Sequence, residues 1–330
     1  MAYADEGRPA YRMPNIYNPN PVAGRLYLQP IDNNEDQCIN GFKAEIACGS
    51  AADYNIYFVE YPSDPRMTVN SRFISVRASY GARFLSDGVE SGAIIRSHQD
   101  ERETLISNML KNYHEFMGFG NIPEDGQYYG RIGNNTTEVI GKSGDIFLTT
   151  FQMYAKIQIL KDGGYGTRVP NFSIKITSRM PLSGKTFDTT GTALSAGLSK
   201  QVSDEIYLIG AADVVFQDID AEDFNADNLH VKQWASDFMA GVIWDIGETG
   251  AWYVSPAFRV SSERVVYKNN PDSAGNAYCT HLSITYRKAL EKEKIMEFFM
   301  DFNEDIPGFG HGLEPDFSIQ TGISVQFDNM

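Results

Sequence analysis

Phe317-Ser-Ile-Gln-Thr-Gly-Ile-Ser-Val-Gln-Phe327 alternates without a break. Odd positions carry Phe317, Ile319, Thr321, Ile323, Val325 and Phe327; even positions carry Ser318, Gln320, Gly322, Ser324 and Gln326. A strand sends successive side chains to opposite faces, so one face here is apolar and the other small and polar over about eleven residues. That length suits a strand that crosses a membrane at a tilt.

The same pattern recurs upstream. From Phe42 one parity runs through Ala44, Ile46, Cys48, Ala52, Tyr54, Ile56 and Phe58, which predicts one long strand rather than a tight hairpin. Further alternating runs fall near 70–84, 88–97, 144–160, 169–180, 190–201, 204–217, 232–246, 250–265, 276–288, 294–304 and 314–327. The expected fold is all-β: a transmembrane antiparallel up-and-down barrel of about 12 strands, with about 14 as the alternative count. Connections near 86–87, 162–166, 202–204, 247–250 and 289–293 are short, whereas 61–69, 98–143, 181–189, 218–231, 266–275 and 305–313 are long. Short turns at one end and long loops at the other are how outer-membrane barrels are built, and an even strand count returns both termini to the short-turn end.

Two segments stand outside this pattern. Residues 1–40, broken by Pro14, Pro19, Pro21 and Pro30, read as an extended arm on the periplasmic side or as a plug. Residues 41–330 are expected to form the barrel, with a helix-bearing loop insertion at 98–143. Within 101–117, Leu105, Ile106, Met109, Leu110, Tyr113, Phe116 and Met117 make one apolar stripe at helical period, and Gly118 and Gly120 stop it. This helix is expected to act as a lid or plug, or to bind a partner; a helix packed on an ordinary core is the plain alternative.

Composition narrows the function classes. The chain has 330 residues and a hydrophobic share of 42%, yet no apolar run long enough for a membrane-spanning helix. A barrel escapes that test because only every other residue must be apolar. A formal charge of −15 argues against nucleic acid as a partner. Cys38, Cys48 and Cys279 lack metal or redox spacing, and Cys38 with Cys48 are near enough in sequence to pair in an oxidising compartment. The N-terminus shows no signal peptide, so a barrel reading implies that a leader has been removed.

A soluble secreted β-sandwich also alternates, and three observations weigh against it. The strands are long, the long charges share one parity, and aromatics gather at strand ends. Trp234 and Tyr278 lie at the long-loop ends; Trp244, Trp252, Tyr286 and Phe327 lie at the short-turn ends, as two girdles would. The opposite parity carries Lys43, Glu45, Arg77, Arg83, Glu90, Arg96, Lys156, Lys175, Arg179, Asp213, Asp237, Arg259, His281, Arg287, Glu297 and Asp301. Charges on a lipid face cost about 2–4 kcal/mol for Arg or Lys at mid-bilayer, so these residues are expected to line a lumen. Two consequences stand side by side: a polar pore favouring anionic solutes, or a lumen closed by charges that pair with one another.

No enzyme chemistry is expected. The glycines at Gly118 and Gly120, or at Gly308 and Gly310, lack the strand-then-helix setting of a nucleotide site, and Ser183-Gly-Lys-Thr186 lacks the upstream glycine of a phosphate loop. No histidines have zinc-hydrolase spacing. His281 shares a face with Ser283 and Arg287, away from lipid, which counts against a lipase. Asp218, Asp220, Glu222 and Asp223 offer clustered oxygens of the type Ca²⁺ or Mg²⁺ takes, but without EF-hand order, so a solvated loop is the stronger reading. No cofactor is expected.

An alternating strand closed by an aromatic beside the C-terminus resembles the terminal signal of bacterial outer-membrane barrels. The chain also resembles a bacterial outer-membrane family known as domain of unknown function 3187. The resemblance rests on Asn15-Ile-Tyr-Asn-Pro-Asn-Pro21, on Gly41–Val59, on Phe73–Ile95, on Leu105–Phe119 with its Gly-Phe-Gly-Asn-Ile-Pro tail, and on Phe299–Val325. Within the last segment stand Asn303-Glu-Asp305 and Pro315-Asp-Phe317. Cys48 and the acidic 218–227 loop depart from the pattern. The resemblance implies a single barrel and an outer-membrane location, and supplies no activity and no catalytic residue. The expected function is a porin-like channel for small polar solutes; the alternative is a non-conducting structural or docking barrel. The expected partners are outer-membrane lipid and, through loop 98–143, another envelope protein.

Overall fold

The computed structural model describes residues 38–53, 69–82, 88–100, 112, 129–131, 137–139, 146–162, 166–184, 190–218, 229–246, 252–262, 265–267, 277–291, 294–305 and 317–328. Twelve strands form a closed barrel. They are β1 (Gly41–Asp53), β2 (Val69–Ala82), β3 (Val89–Asp100), β4 (Ile146–Leu160), β5 (Asn171–Gly184) and β6 (Thr190–Gln201), followed by β7 (Ile206–Asp218), β8 (Trp234–Asp245), β9 (Trp252–Ser261), β10 (Ala277–Glu291), β11 (Lys294–Asp305) and β12 (Phe317–Asp328). Every strand pairs antiparallel with its neighbours in sequence, and β12 closes on β1 from Gly41 opposite Asp328 to Ala52 opposite Phe317. Full closure leaves the barrel no unpaired edge. The count is 12, not 14, and the closed barrel excludes the soluble sandwich.

Side-chain alternation explains which face of the closed sheet is turned outward. Ile46, Ile74, Ile176, Leu194, Val214, Phe238 and Leu282 stand exposed on the outer face, while their strand neighbours are buried inside. This inverts a soluble protein, in which such residues would be the core. Oil outside and charge within is the arrangement that a bilayer selects.

Register irregularities sit toward strand ends: between His98 and Gln99, Thr149 and Thr150, Gln158 and Leu160, and Ala289 and Glu291. Bulges at a barrel rim twist and end the pairing. Beyond the barrel, Tyr129–Arg131 pairs with Thr137–Val139, and Leu229–Val231 pairs with Val265–Tyr267. Both small sheets lie within long connections. The second ties the loop after β7 to the loop after β9, a link the sequence reading lacked. The expected helix at 101–117 lies outside the described residues, apart from a helical Asn112.

Three inward glycines face an aromatic on the neighbouring strand. Gly49 is opposite Phe73, Gly92 opposite Tyr154 and Gly322 opposite Phe299. A β-carbon on Gly92 would lie 2.6 Å from the Tyr154 ring, and one on Gly49 would lie 2.5 Å from the Phe73 ring. The rings therefore lie over the glycines, along the wall, rather than projecting into the bore.

Candidate functional site: the barrel lumen

The inner wall is polar and divided by charge. On β2 to β5 it presents Arg77, Arg96, Lys156, Lys175 and Arg179, with Glu90 among them; all are buried. On β7, β8 and β11 it presents Asp213, Asp237, Glu297 and Asp301, also buried. Arg259 and Arg287 project from β9 and β10 between these acids. Lys43 and Glu45 sit on β1, where the two halves meet.

Glu90 organises the basic half. Lys156 Nζ lies 2.8 Å from its Oε2, Tyr154 Oη donates to its Oε1 at 2.7 Å, and Arg77 Nη2 lies 3.8 Å away. Arg77 also donates to Tyr154 Oη from Nη2 at 2.8 Å and from Nε at 3.2 Å. The Arg77 guanidinium stands 5.2 Å from the Tyr154 ring centroid and Lys175 Nζ stands 5.7 Å from it. One carboxylate thus holds two cations, and an aromatic face serves a third. Charges taken out of water persist only when paired and hydrogen-bonded in this way.

A second cluster lies on the acidic half. Arg287 donates to Glu297 Oε1 from Nη2 at 2.8 Å and from Nε at 3.0 Å, and Tyr253 Oη donates to the same oxygen at 2.9 Å. Ser324 Oγ donates to Glu297 Oε2 at 3.1 Å. Nearer the long loops, Arg259 pairs with Asp237 at 3.3 Å. His281 Nδ1 meets Asn303 Oδ1, and Asn303 Nδ2 donates to Ser318 Oγ at 2.9 Å. His281 faces the lumen beside this amide.

An apolar patch interrupts the polar wall. Tyr207, Ile209 and Ala211 on β7, Met239 and Ile243 on β8, and Tyr253 and Ala257 on β9 form one buried cluster on the inner face. It lies toward the short turns. Ile39 is buried as well, and its N–H donates to Glu90 Oε2 at 3.2 Å. Residues 38 and 39 therefore lie against the inside of β2 to β4. Sequence reading missed this cluster, along with Tyr154 and Tyr253, because attention to inward charge passed over inward apolar positions.

The remaining expected residues are placed as follows. Trp234, Trp244, Trp252 and Phe327 are exposed on the outer face, and Tyr278 and Tyr286 are half-exposed. Phe216 packs on Trp234 at 4.9 Å near the long loops, and Trp252 on Tyr286 at 4.8 Å near the short turns. Asp218, the last residue of β7, is exposed. Arg83, Asp220, Glu222, Asp223 and the helix residues Leu105, Ile106, Met109, Leu110, Tyr113 and Phe116 lie outside the described residues. Cys38 and Cys48 do not pair: the Cys38 thiol donates to the Lys156 carbonyl, whereas Cys48 faces outward beside Thr321. Among the described residues no cluster of three metal-ligating side chains occurs.

No family model and no curated protein matches the chain. Solved structures do match in shape. An outer membrane channel from Pseudomonas putida F1 is similar at 8% identity and a TM-score of 0.60, over 91% of this chain and 99% of that one. A FadL homologue from Pseudomonas aeruginosa, 8% identical, covers 96% of each chain with a TM-score of 0.42. The Pseudomonas putida toluene transporter TodX, 9% identical, covers 88% of this chain and 91% of that one with a TM-score of 0.39. The first likeness is one of architecture: this chain has the transmembrane barrel fold that an outer membrane channel also uses.

Proposed function

We propose that the protein is an outer-membrane channel that passes small polar solutes and favours anions. The observation that carries the reading is the basic half-wall, where Arg77, Arg96, Lys156, Lys175 and Arg179 project from adjacent strands β2 to β5. Opposed charge across a polar bore orders and selects solutes, and rings of cationic side chains favour anions. The barrel fold shared with an outer membrane channel and the exposed apolar belt support the outer-membrane location. The segments quoted above support membership of the domain of unknown function 3187 family. On this reading the protein is not an enzyme, and its partner is lipid.

Conductance across planar bilayers tests it. In a potassium chloride gradient the reversal potential should take the sign of chloride preference, and joint Lys175→Gln and Arg179→Gln substitution should move it toward potassium. Cation preference in the unsubstituted protein would overturn the anion reading.

A second reading is favoured by the covered state of the inner wall. A barrel that stays silent in bilayers while remaining folded would be a docking barrel for an envelope partner.

A further inference from the structure

Three rungs cross the inner wall from β5 over β6 to β7. They are Lys175, Ser195 and Asp213; Thr177, Ala193 and Val215; and Arg179, Gly191 and Gln217. The central member of each rung is serine, alanine or glycine, so β6 forms the floor of a trough between a basic rim on β5 and an acidic rim on β7. Its dimensions follow from the sheet. β5 and β7 stand two strand spacings apart, about 10 Å, and the rungs of Lys175 and Arg179 are four residues apart, about 13 Å. That suits a small solute.

The charges on the two rims are held by different neighbours. Lys175 leans toward β4, where its Nζ stands 5.7 Å from the Tyr154 ring centroid, so the cation is drawn away from the β7 rim. Asp237, the acid beside Asp213 on β8, pairs with Arg259 at 3.3 Å. Polar atoms that enter the trough have no hydrogen-bond partner in the protein. Ser195 is 2% exposed, Thr177 3% and Gln217 0%, and among the described residues nothing hydrogen-bonds to Ser195 Oγ, to Thr177 Oγ1 or to either amide atom of Gln217. Buried polar side chains are ordinarily satisfied, and a hydroxyl or an amide can both give and take a hydrogen bond.

We propose, resting on the channel reading for how the solute arrives, that the trough over β6 is a binding subsite for a small zwitterion of the α-amino acid class. The solute's carboxylate faces Lys175 and accepts from Thr177 Oγ1. Its ammonium faces Asp213 and donates to Ser195 Oγ. Arg179 and Gln217, nearer the long loops, face the solute's side chain. A simple anion would be set against Asp213 and a simple cation against Lys175, so each is rejected by one rim. The ion preference of the bore belongs to the whole basic half-wall, whereas retention at this point needs both signs.

Saturation-transfer NMR on the full chain in detergent micelles tests the subsite without requiring any current. The probes are L-alanine, propionate, which lacks its ammonium, and ethylammonium, which lacks its carboxylate. L-alanine should bind at least about tenfold tighter than either. In barrels that remain heat-modifiable, Asp213→Asn should let propionate bind as well as L-alanine. Ser195→Val, which fills the trough and keeps both charges, should weaken L-alanine at least about tenfold. Equal binding of propionate and L-alanine to the unsubstituted protein, no saturable L-alanine signal, or unchanged binding to the Ser195→Val barrel would each overturn the proposal. If L-alanine binds as expected yet no current flows in bilayers, the channel reading fails while the subsite stands; current without L-alanine binding has the opposite meaning.

Discussion

Glu90 shows how much one side chain can hold in this barrel. Its carboxylate accepts from Tyr154 and Ile39 and faces Lys156 and Arg77, all away from water. Breaking a buried pair by removing one partner leaves an uncompensated charge, at about 3–5 kcal/mol. Glu90→Gln should therefore lower stability by about that amount in urea unfolding from lipid vesicles followed by tryptophan fluorescence. Loss below about 1 kcal/mol would show that the cluster is solvated. Gly92 carries a separate prediction at the same scale. In Gly92→Ala the added methyl would meet the Tyr154 ring, so the ring must swing into the bore and leave Glu90. The measurable result is a smaller single-channel current with folding retained. Neither Tyr154 nor Gly92 stood out in the sequence, because the partnership depends on which residue of β3 faces which residue of β4. Alternation fixes the face of a residue but not its cross-strand neighbour.

At the scale of strands, the two-residue period made the architecture readable. Long alternating runs such as 206–217 or 294–304 have few other interpretations, and each became a barrel strand. The three-residue strands at 129–131, 137–139, 229–231 and 265–267 were not readable, since three positions cannot display a period. The lumen was legible to the extent that charge marks a face. Its apolar patch was passed over: Ile209 shares the parity of Asp213, and Met239 and Ile243 that of Asp237, yet no charge marks them. Outer-face substitutions measure the same logic. Leu194 stands 58% exposed in the middle of β6. Leu194→Arg should cost about 2–4 kcal/mol in folding into vesicles, falling toward zero for the same change near a girdle. Equal costs at both depths would mean that the face does not contact hydrocarbon.

Taken whole, the molecule is a cylinder with charge separated across its bore rather than along its axis. Two consequences are measurable. Unheated protein should migrate differently from boiled protein on a denaturing gel, as a closed sheet resists the detergent that unfolds ordinary proteins. Selectivity should also weaken as salt rises, because screening shortens from about 10 Å at 0.1 M to about 3 Å at 1 M. A preference that survives molar salt would point to direct contact between solute and wall. Eleven of the twelve pairings join strands consecutive along the chain, and one joins its first strand to its last. Until that final seam is made, the growing sheet carries two raw borders, each able to capture a stray strand. Assembly is therefore the hazardous interval in the life of this protein. The peptide segment 317–327 is the clasp whose arrival ends it.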